Sequence, residues 1–131
     1  AEWEYACRAG SKGTWTYGDN EKSLGNYAWY DENAWDIGEI YPHQVGLKKP
    51  NAFGLYDMHG NVYEWCSDFY GEDYYKQSPK INPLGSTQGT FHVLRGGSVF
   101  RGSRSPRSAY RNRYVTDYDI KFVFGFRLLV E

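Results

Sequence analysis

The spacing of hydrophobic residues at the start of the chain predicts one short helix. Over residues 1–9, Trp3, Ala6 and Cys7 recur at the interval that places side chains on one face of a helix. Two glutamates stand in the first turn, where carboxylates stabilise a helix N-terminus, and Gly10 follows as a typical C-cap residue. We therefore expect an amphipathic helix that packs on a core.

The region that follows shows no lasting period. Residues 11–51 are rich in Gly, Asn, Asp and aromatic residues, a composition that favours ordered loops. We expect Trp15, Trp29 and Trp35 to pin these loops to the core. Residues 71–89 contain prolines and glycines and are predicted to form another loop.

Between these loops, residues 57–68 (DMHGNVYEWCSD) are predicted to contain a second short helix after Gly60. Val62, Trp65 and Cys66 would form its apolar side. We expect both Trp65 and Trp3, the tryptophan of the first helix, to lie in the core.

Strands are predicted in the last third of the chain. Residues 91–94, 98–100 and 122–130 have the β-branched and aromatic content of strands. Gly96 and Gly97 supply a turn or a bulge between the first two. The sequence contains no internal repeat, and its length predicts a single domain over residues 1–131.

Composition agrees with a folded, water-exposed domain. The chain has 131 residues, of which 40% are hydrophobic, 24% charged and 19% aromatic, with a net charge of −1. No window approaches the roughly 18 to 20 apolar residues of a membrane-spanning helix. The 13 Tyr, 7 Phe and 5 Trp residues provide enough apolar area to offset the entropy of ordering, which argues against disorder.

Charge is divided unevenly along the chain. Residues 1–84 hold 7 Lys and Arg against 13 Asp and Glu, whereas residues 85–131 hold 8 against 3. Six of the eight are arginines that stand in a stretch free of carboxylates and interleaved with Phe and Tyr: Arg95, Arg101, Arg104, Arg107, Arg111 and Arg113. Such a stretch suits a recognition surface, although internal pairing with the acidic part is an equal alternative.

The residues that most often carry metal or redox chemistry are sparse. Cys7 and Cys66 lack the spacing of a zinc site or of a disulfide scaffold, and whether they pair stays open. His43, His59 and His92 have no spacing typical of metal ligands, so we interpret them as structural histidines.

Five blocks of the sequence, in this order, carry a resemblance to a known family: AEWEYACRAG, PNAFGLYDMHGNVYEWCSDFY, VLRGGS, RSAYRNR and GFRLL. The chain resembles the sulfatase-modifying-factor family, to which formylglycine-generating enzyme belongs. The resemblance covers nearly the whole chain and leaves out the N-terminal part of the family. It implies the α+β class and a C-type-lectin-like fold of the formylglycine-generating-enzyme type, with two helices, few short antiparallel strands and many ordered loops.

The resemblance does not extend to the oxidase chemistry. Formylglycine-generating enzymes carry two copper-binding cysteines shortly after the GGS block, and the corresponding positions here are Arg101 and Pro106. Neither side chain is a thiolate nucleophile or a copper ligand. We therefore expect no enzyme activity and no cofactor, with a metal-dependent oxidase as the alternative.

Calcium is the cofactor that the resemblance leaves open. Family members bind calcium through loop oxygens, and the corresponding blocks contain Asn26 and Tyr27 with Asp36, and Asn61 with Glu64. Oxygen ligands of this type suit calcium. The alternative is that Asn61 and Glu64 hydrogen-bond loop backbone.

A second resemblance concerns the variable proteins of diversity-generating retroelements. These proteins look like this family and carry a variable segment before a fixed GFRL-type strand. In them, adenines of the template are randomised, so that an AAY codon becomes NNY. Codons of the NNY type do not encode Trp, Met, Gln, Glu or Lys. Residues 98–120 contain none of these five types, whereas residues 1–84 contain 21. The pattern agrees with a varied segment, and selection for an arginine-rich surface would produce the same depletion.

These observations predict a non-enzymatic ligand-binding module with a C-terminal recognition surface. We expect its partner to be a protein or a glycan, and its location to be a cell or virion surface. An Arg- and Tyr-rich nucleic-acid-binding domain is a further alternative, disfavoured by the net charge of −1. The predicted ligand-binding positions, named the candidate surface below, are Val99, Phe100, Arg101, Ser103, Ser105, Tyr114, Val115, Thr116, Tyr118, Asp119 and Phe122.

Overall fold

The computed structural model describes residues 1–113 and 123–129. Its helices and strands are short and are joined by long ordered loops. In chain order they are α1 (Glu2–Arg8), a 3₁₀ helix (Glu21–Asn26), β1 (Ala28–Trp29), α2 (Asp31–Asp36), β2 (His59–Gly60), β3 (Tyr63–Phe69), α3 (Tyr74–Gln77), β4 (His92–Arg95), β5 (Asn112–Arg113) and β6 (Phe124–Gly125). This mixture confirms the predicted α+β class.

Helix α1 forms where the hydrophobic spacing predicts it. Trp3 and Cys7 are buried and pack with Met58. The helix ends because Ala9 has a left-handed backbone with a φ of 45°, and Gly10 follows with a φ of 90°. The described helices include none long and apolar enough to cross a membrane.

A four-stranded sheet in the order β5-β4-β3-β6 forms the centre of the fold. Strands β3, β4 and β5 are antiparallel, with Trp65 opposite Leu94 and Val93 opposite Arg113, whereas β6 runs parallel to β3. Strands β1 and β2 form a separate parallel pair. Two of the strand pairings are thus parallel rather than antiparallel as the resemblance implied.

The predicted second helix over residues 57–68 is wrong, because this segment forms β2 and β3. Gly60 and Asn61 have φ values of 80° and 62°, a backbone that a right-handed helix does not contain. A Cβ at Gly60 would lie 2.1 Å from the Trp29 carbonyl oxygen, so the chain needs glycine here. Trp65 is half-buried on β3, with its ring 5.4 Å from the Phe124 ring.

The loops predicted over residues 11–51 contain more regular structure than expected, namely the 3₁₀ helix, β1 and α2. The side chain of Asn33 accepts a hydrogen bond from the Tyr30 backbone N–H and thereby closes the first turn of α2. Trp15 is buried and supports the loops as predicted. Trp35 is 65% exposed, so its predicted role as a loop anchor is wrong.

The late strands are partly confirmed. Residues 91–94 correspond to β4 within one residue, whereas residues 98–100 form a turn, in which the Arg101 N–H donates to the Ser98 carbonyl at 3.0 Å. Within the described part of residues 122–130, the strand is confined to β6. Residues 71–89 contain one helical turn, α3, inside the predicted loop.

Among the described residues, the buried side chains form three small clusters rather than one large cluster. The clusters are Trp15 with Leu24, Ala28 and Tyr30; Trp3 with Cys7 and Met58; and Ala34 with Val99 and Val123. The second and third join segments distant in the sequence, whereas the first ties together residues 15–30, and these contacts keep the short elements in place.

Candidate functional site

The Gly96–Gly97 turn determines where the candidate surface begins. Both glycines have a positive φ, 87° and 77°, as the prediction of a turn requires. A Cβ at Gly97 would lie 2.8 Å from the Pro106 backbone nitrogen, so the segment after the turn folds back against the turn itself. Glycine is needed here for this close approach as well as for its backbone angle.

Val99 is a core residue, and its predicted exposure is wrong. Its side chain is fully buried against Ala34 and Val123. Its backbone N–H donates to the Asn61 carbonyl at 3.0 Å, which directs the side chain inward. Ser105 is also buried, with 9% of its surface exposed, so it too is corrected from a surface to a supporting position.

The neighbouring positions Phe100, Arg101 and Ser103 reach the surface to different degrees. Arg101 is exposed, and Ser103 and Phe100 are half-buried, with Phe100 packed against the cluster that contains Val99. The Arg101 carbonyl accepts a hydrogen bond from the Asp31 N–H at 3.2 Å, which ties this turn to the start of α2. These three residues lie close together along one turn.

The remaining candidate positions cannot be placed on this turn. Tyr114, Val115, Thr116, Tyr118, Asp119 and Phe122 lie outside the described residues. Their membership of the surface stays a prediction.

His59 anchors the far end of the segment. Its Nδ1 lies 2.6 Å from the Pro106 carbonyl oxygen, and its Nε2 accepts the Thr16 N–H at 3.1 Å, so the ring is neutral with the proton on Nδ1. Burial lowers the pKa of His59 to about 4, outweighing the hydrogen bond to Pro106, which favours the charged form. This histidine was interpreted as structural from the sequence, and its contacts define that role.

His59 makes the stability of the domain depend on pH. As the pH falls from 6.5 to about 4, the unfolded chain takes up a proton at this position and the folded chain does not. We expect the free energy of unfolding to fall by up to about 3 kcal/mol over this range. Urea unfolding should show this slope in the wild-type chain and a smaller one in His59→Gln; equal slopes would contradict the assignment.

Most arginines near the candidate surface form no ion pair with another described residue. Of the six arginines between positions 95 and 113, Arg95 alone contacts a carboxylate among the described residues, at 2.6 Å from Glu4. Arg101, Arg104 and Arg107 are exposed, and Arg107 donates to the Arg104 carbonyl. Within the described ranges, these contacts therefore favour the hypothesis that the arginine-rich stretch is a recognition surface over the hypothesis that its arginines pair internally.

The positions of the oxidase cysteines do not fit copper. Arg101 is exposed and Pro106 is buried, and neither offers a copper ligand. The two thiols lie elsewhere, in or against the cluster of Trp3 and Met58. Burial raises the pKa of Cys7 to about 12 and that of Cys66 to about 11, so both are protonated at neutral pH.

The oxygens of Asn61 and Glu64 are occupied by protein partners and do not fit calcium. Asn61 Oδ1 accepts the His43 N–H at 2.8 Å. Glu64 Oε2 accepts from Trp3 Nε1 at 2.5 Å and from Arg127 Nε at 2.6 Å, and Oε1 accepts from Arg127 Nη2. Asn61 thus bonds loop backbone, whereas Glu64 neutralises a guanidinium that the sequence did not single out.

The second set of proposed calcium ligands does not form an evident site either. Asp36 ends α2 with an exposed side chain, and the Asn26 carbonyl accepts the Lys49 N–H. No group of three or more His, Cys, Asp or Glu side chains suited to a metal was found among residues 1–113 and 123–129.

The fold and these contacts define a C-type-lectin-like domain of the formylglycine-generating-enzyme type. The sequence model of the protein family described as the sulfatase-modifying factor enzyme 1-like domain matches residues 1–131. The chain therefore belongs to this family. The predicted resemblance and fold are confirmed.

Known proteins of different activities share this domain. The chain is 37% identical over 133 residues to the formylglycine-generating enzyme of Streptomyces coelicolor, covering 87% of the chain and 37% of that enzyme. It is 39% identical over 132 residues to the serine/threonine-protein kinase pkn1 of Chlamydia pneumoniae, covering 97% of the chain and 19% of the kinase. The chain thus spans less than half the length of these relatives.

A solved structure gives a similar match. Treponema denticola variable protein 1 superimposes with a TM-score of 0.82 and 34% identity, over 95% of this chain and 43% of that one. The chain is therefore similar both to proteins named as enzymes and to one named as a variable protein.

Proposed function

We propose that this domain is a non-catalytic ligand-binding module of the variable-protein type. Its ligand would contact nine of the eleven positions of the candidate surface, because Val99 and Ser105 are buried. The nine are Phe100, Arg101, Ser103, Tyr114, Val115, Thr116, Tyr118, Asp119 and Phe122. Val99 and Ser105 hold the surface in place from below. The likeness to Treponema denticola variable protein 1 supports this proposal.

The environment of Arg101 is the observation that carries the proposal. This residue stands where the oxidase has its first cysteine, and its side chain is exposed. Its backbone is held on both sides, because its N–H donates to Ser98 and its carbonyl accepts from Asp31. A fixed backbone beneath an exposed side chain allows that side chain to be exchanged at little cost in stability.

The chemistry of this turn suits a partner with carboxylates. Arg101, Arg104 and Arg107 present guanidinium groups that no carboxylate of the described residues neutralises. Arginine binds carboxylates through two parallel hydrogen bonds, and a partly exposed aromatic such as Phe100 adds apolar contact. An acidic protein surface or an acidic glycan has the complementary groups.

Joint randomisation of the nine positions tests the proposal. We expect most variants displayed on yeast to resist protease as the wild-type chain does, and selection against lysozyme as an arbitrary target to yield specific binders. A control library at Val99, Ser105 and Ser108, all buried, should lose protease resistance. Equal losses in the two libraries, or a folded library without binders, would contradict the proposal.

The absence of oxidase activity has its own test. Incubation with copper and a peptide that carries a sulfatase motif should leave the peptide cysteine unoxidised, because Arg101 and Pro106 provide no thiolate. Mass spectrometry of the peptide measures the outcome. Turnover above a control with copper alone would show that the domain is an enzyme.

A further inference from the structure

A cavity of about 310 Å³ lies apart from the turn that carries Phe100, Arg101 and Ser103, between α1, one face of β3 and β4, and α3. Phe100, Arg101 and Ser103 do not line it. Its size falls at the lower end of the range typical of small-molecule sites, roughly 300 to 1,000 Å³. The walls combine the apolar side chains of Trp3, Val93 and Tyr74 with charged groups.

Three of these charged groups form one cluster, in which Glu4 pairs with both Arg8 and Arg95 and has no free oxygen left for a ligand. Glu4 accepts from Arg8 at 2.9 Å and from Arg95 at 2.6 Å. Burial raises the pKa of Glu4, but the two guanidinium groups outweigh it and hold the pKa below its usual value. This side of the cavity is therefore already satisfied.

Asp68 is different, because its carboxylate is half-buried and has no hydrogen bond or ion pair with any described residue. The backbone of the loop before β4 presses against it: a Cβ at Gly85 would lie 2.6 Å from Asp68 Oδ2. The carboxylate is thus confined in position while its oxygens have no donor. Because Asp68 lines the cavity, a ligand cation there would meet a carboxylate that no described residue has already paired.

Arg111 is the second group without an ionic partner in the described residues. Its guanidinium lies 4.9 Å from the Tyr70 ring centre and 4.7 Å from that of Tyr75, and it donates one long hydrogen bond, 3.4 Å, to the Gly71 carbonyl. The two rings hold the guanidinium plane, so that N–H groups at its edge are available for a carboxylate. Asp68 and Arg111 line the same cavity but do not pair with each other.

We propose that this cavity binds a small zwitterion, an α-amino acid with an apolar side chain. The ammonium group pairs with Asp68 and the carboxylate with Arg111, and the side chain packs on Trp3 and Val93. A ligand with both charges satisfies both groups at once, whereas a ligand with one charge leaves the other group unpaired. This site is distinct from the turn that carries Phe100, Arg101 and Ser103.

The test compares L-phenylalanine with two analogues that each lack one charge. Isothermal titration should show L-phenylalanine binding the wild-type chain at least about tenfold more tightly than 3-phenylpropionate or 2-phenylethylamine, a difference of roughly 1.4 kcal/mol. L-Leucine should also bind. Equal binding of the three aromatic compounds, or no binding of either amino acid at millimolar concentration, would overturn the proposal.

Two variants assign the charges. Asp68→Asn should reduce the affinity for L-phenylalanine about tenfold and leave the affinity for 3-phenylpropionate, which has no ammonium group, unchanged. Arg111→Gln should also reduce the affinity for L-phenylalanine about tenfold, and it should leave the affinity for 2-phenylethylamine, which has no carboxylate, unchanged. Asp36→Asn and Lys22→Gln, exposed residues outside the cavity, serve as controls without effect. If a cavity variant fails to fold, the comparison of the three ligands on the wild-type chain decides alone. Retained affinity in both folded cavity variants would overturn the assignment.

Discussion

Replacement of Glu64 with alanine is expected to lower the free energy of unfolding by about 3 to 5 kcal/mol. Glu64 is 6% exposed and joins two distant parts of the chain, accepting from Trp3 and from Arg127. Without it, the Arg127 guanidinium remains partly buried without its counter-charge, and the Trp3 indole N–H loses its acceptor. Because domains of this size unfold at about 5 to 15 kcal/mol, such a loss is a large share of the total stability.

Urea unfolding of three variants separates this effect from a general effect of charge removal. Asp73→Ala removes a carboxylate from an ion pair with Lys76 in which both side chains are at least 69% exposed. We expect it to change stability by less than about 1 kcal/mol, because exposed pairs contribute little. Glu64→Gln should fall between the other two, since its amide oxygen still accepts from Trp3. A Glu64→Ala variant as stable as Asp73→Ala would show that the buried pair is not important for the fold.

Replacement of Val99 with aspartate is expected to cost about 4 to 5 kcal/mol, because it places a charge without a partner in the cluster with Ala34 and Val123. Val99→Thr keeps the shape and adds one hydroxyl, so about 1 to 3 kcal/mol should be lost. Arg101→Asp, two positions later and exposed, should stay within about 0.5 kcal/mol.

Thermal or urea unfolding of these three variants measures the boundary between core and surface. The expected order of stability is Arg101→Asp above Val99→Thr above Val99→Asp. If Val99→Asp were as stable as Arg101→Asp, Val99 would belong to the candidate surface, as the sequence predicted. The comparison therefore determines where a binding surface can begin after the Gly96–Gly97 turn.

Local patterns were sufficient where neighbours in the sequence determine the structure. Helix α1 follows from the helical spacing of Trp3 and Cys7, and β4 follows from a β-branched and aromatic run. The turn at Gly96 and Gly97 follows from the backbone freedom of glycine. The five family blocks also identified the fold, although spacing alone would not have.

Local patterns failed at β3, where Val62, Trp65 and Cys66 have the spacing of a helix. A strand covered on both faces also carries apolar residues on both sides, so its spacing can resemble that of a helix. The left-handed backbone of Gly60 and Asn61 excludes a helix across these two residues, and the close approach of Trp29 requires glycine there. This constraint comes from a residue about thirty positions away.

For the candidate site, too, some properties follow from the sequence alone and others depend on tertiary packing. The arginine-rich composition after Gly97 and the lack of oxidase cysteines are properties of the sequence, and they were sufficient to propose a binding surface. Which side chains face outward depends on packing: Val99 turns inward because Ala34 and Val123 cover it. Likewise, Glu64 pairs with Arg127 across 63 positions, and His59 holds Pro106 across 47. Contacts this distant arise when the chain folds back on itself, so no local spacing of residues can encode them.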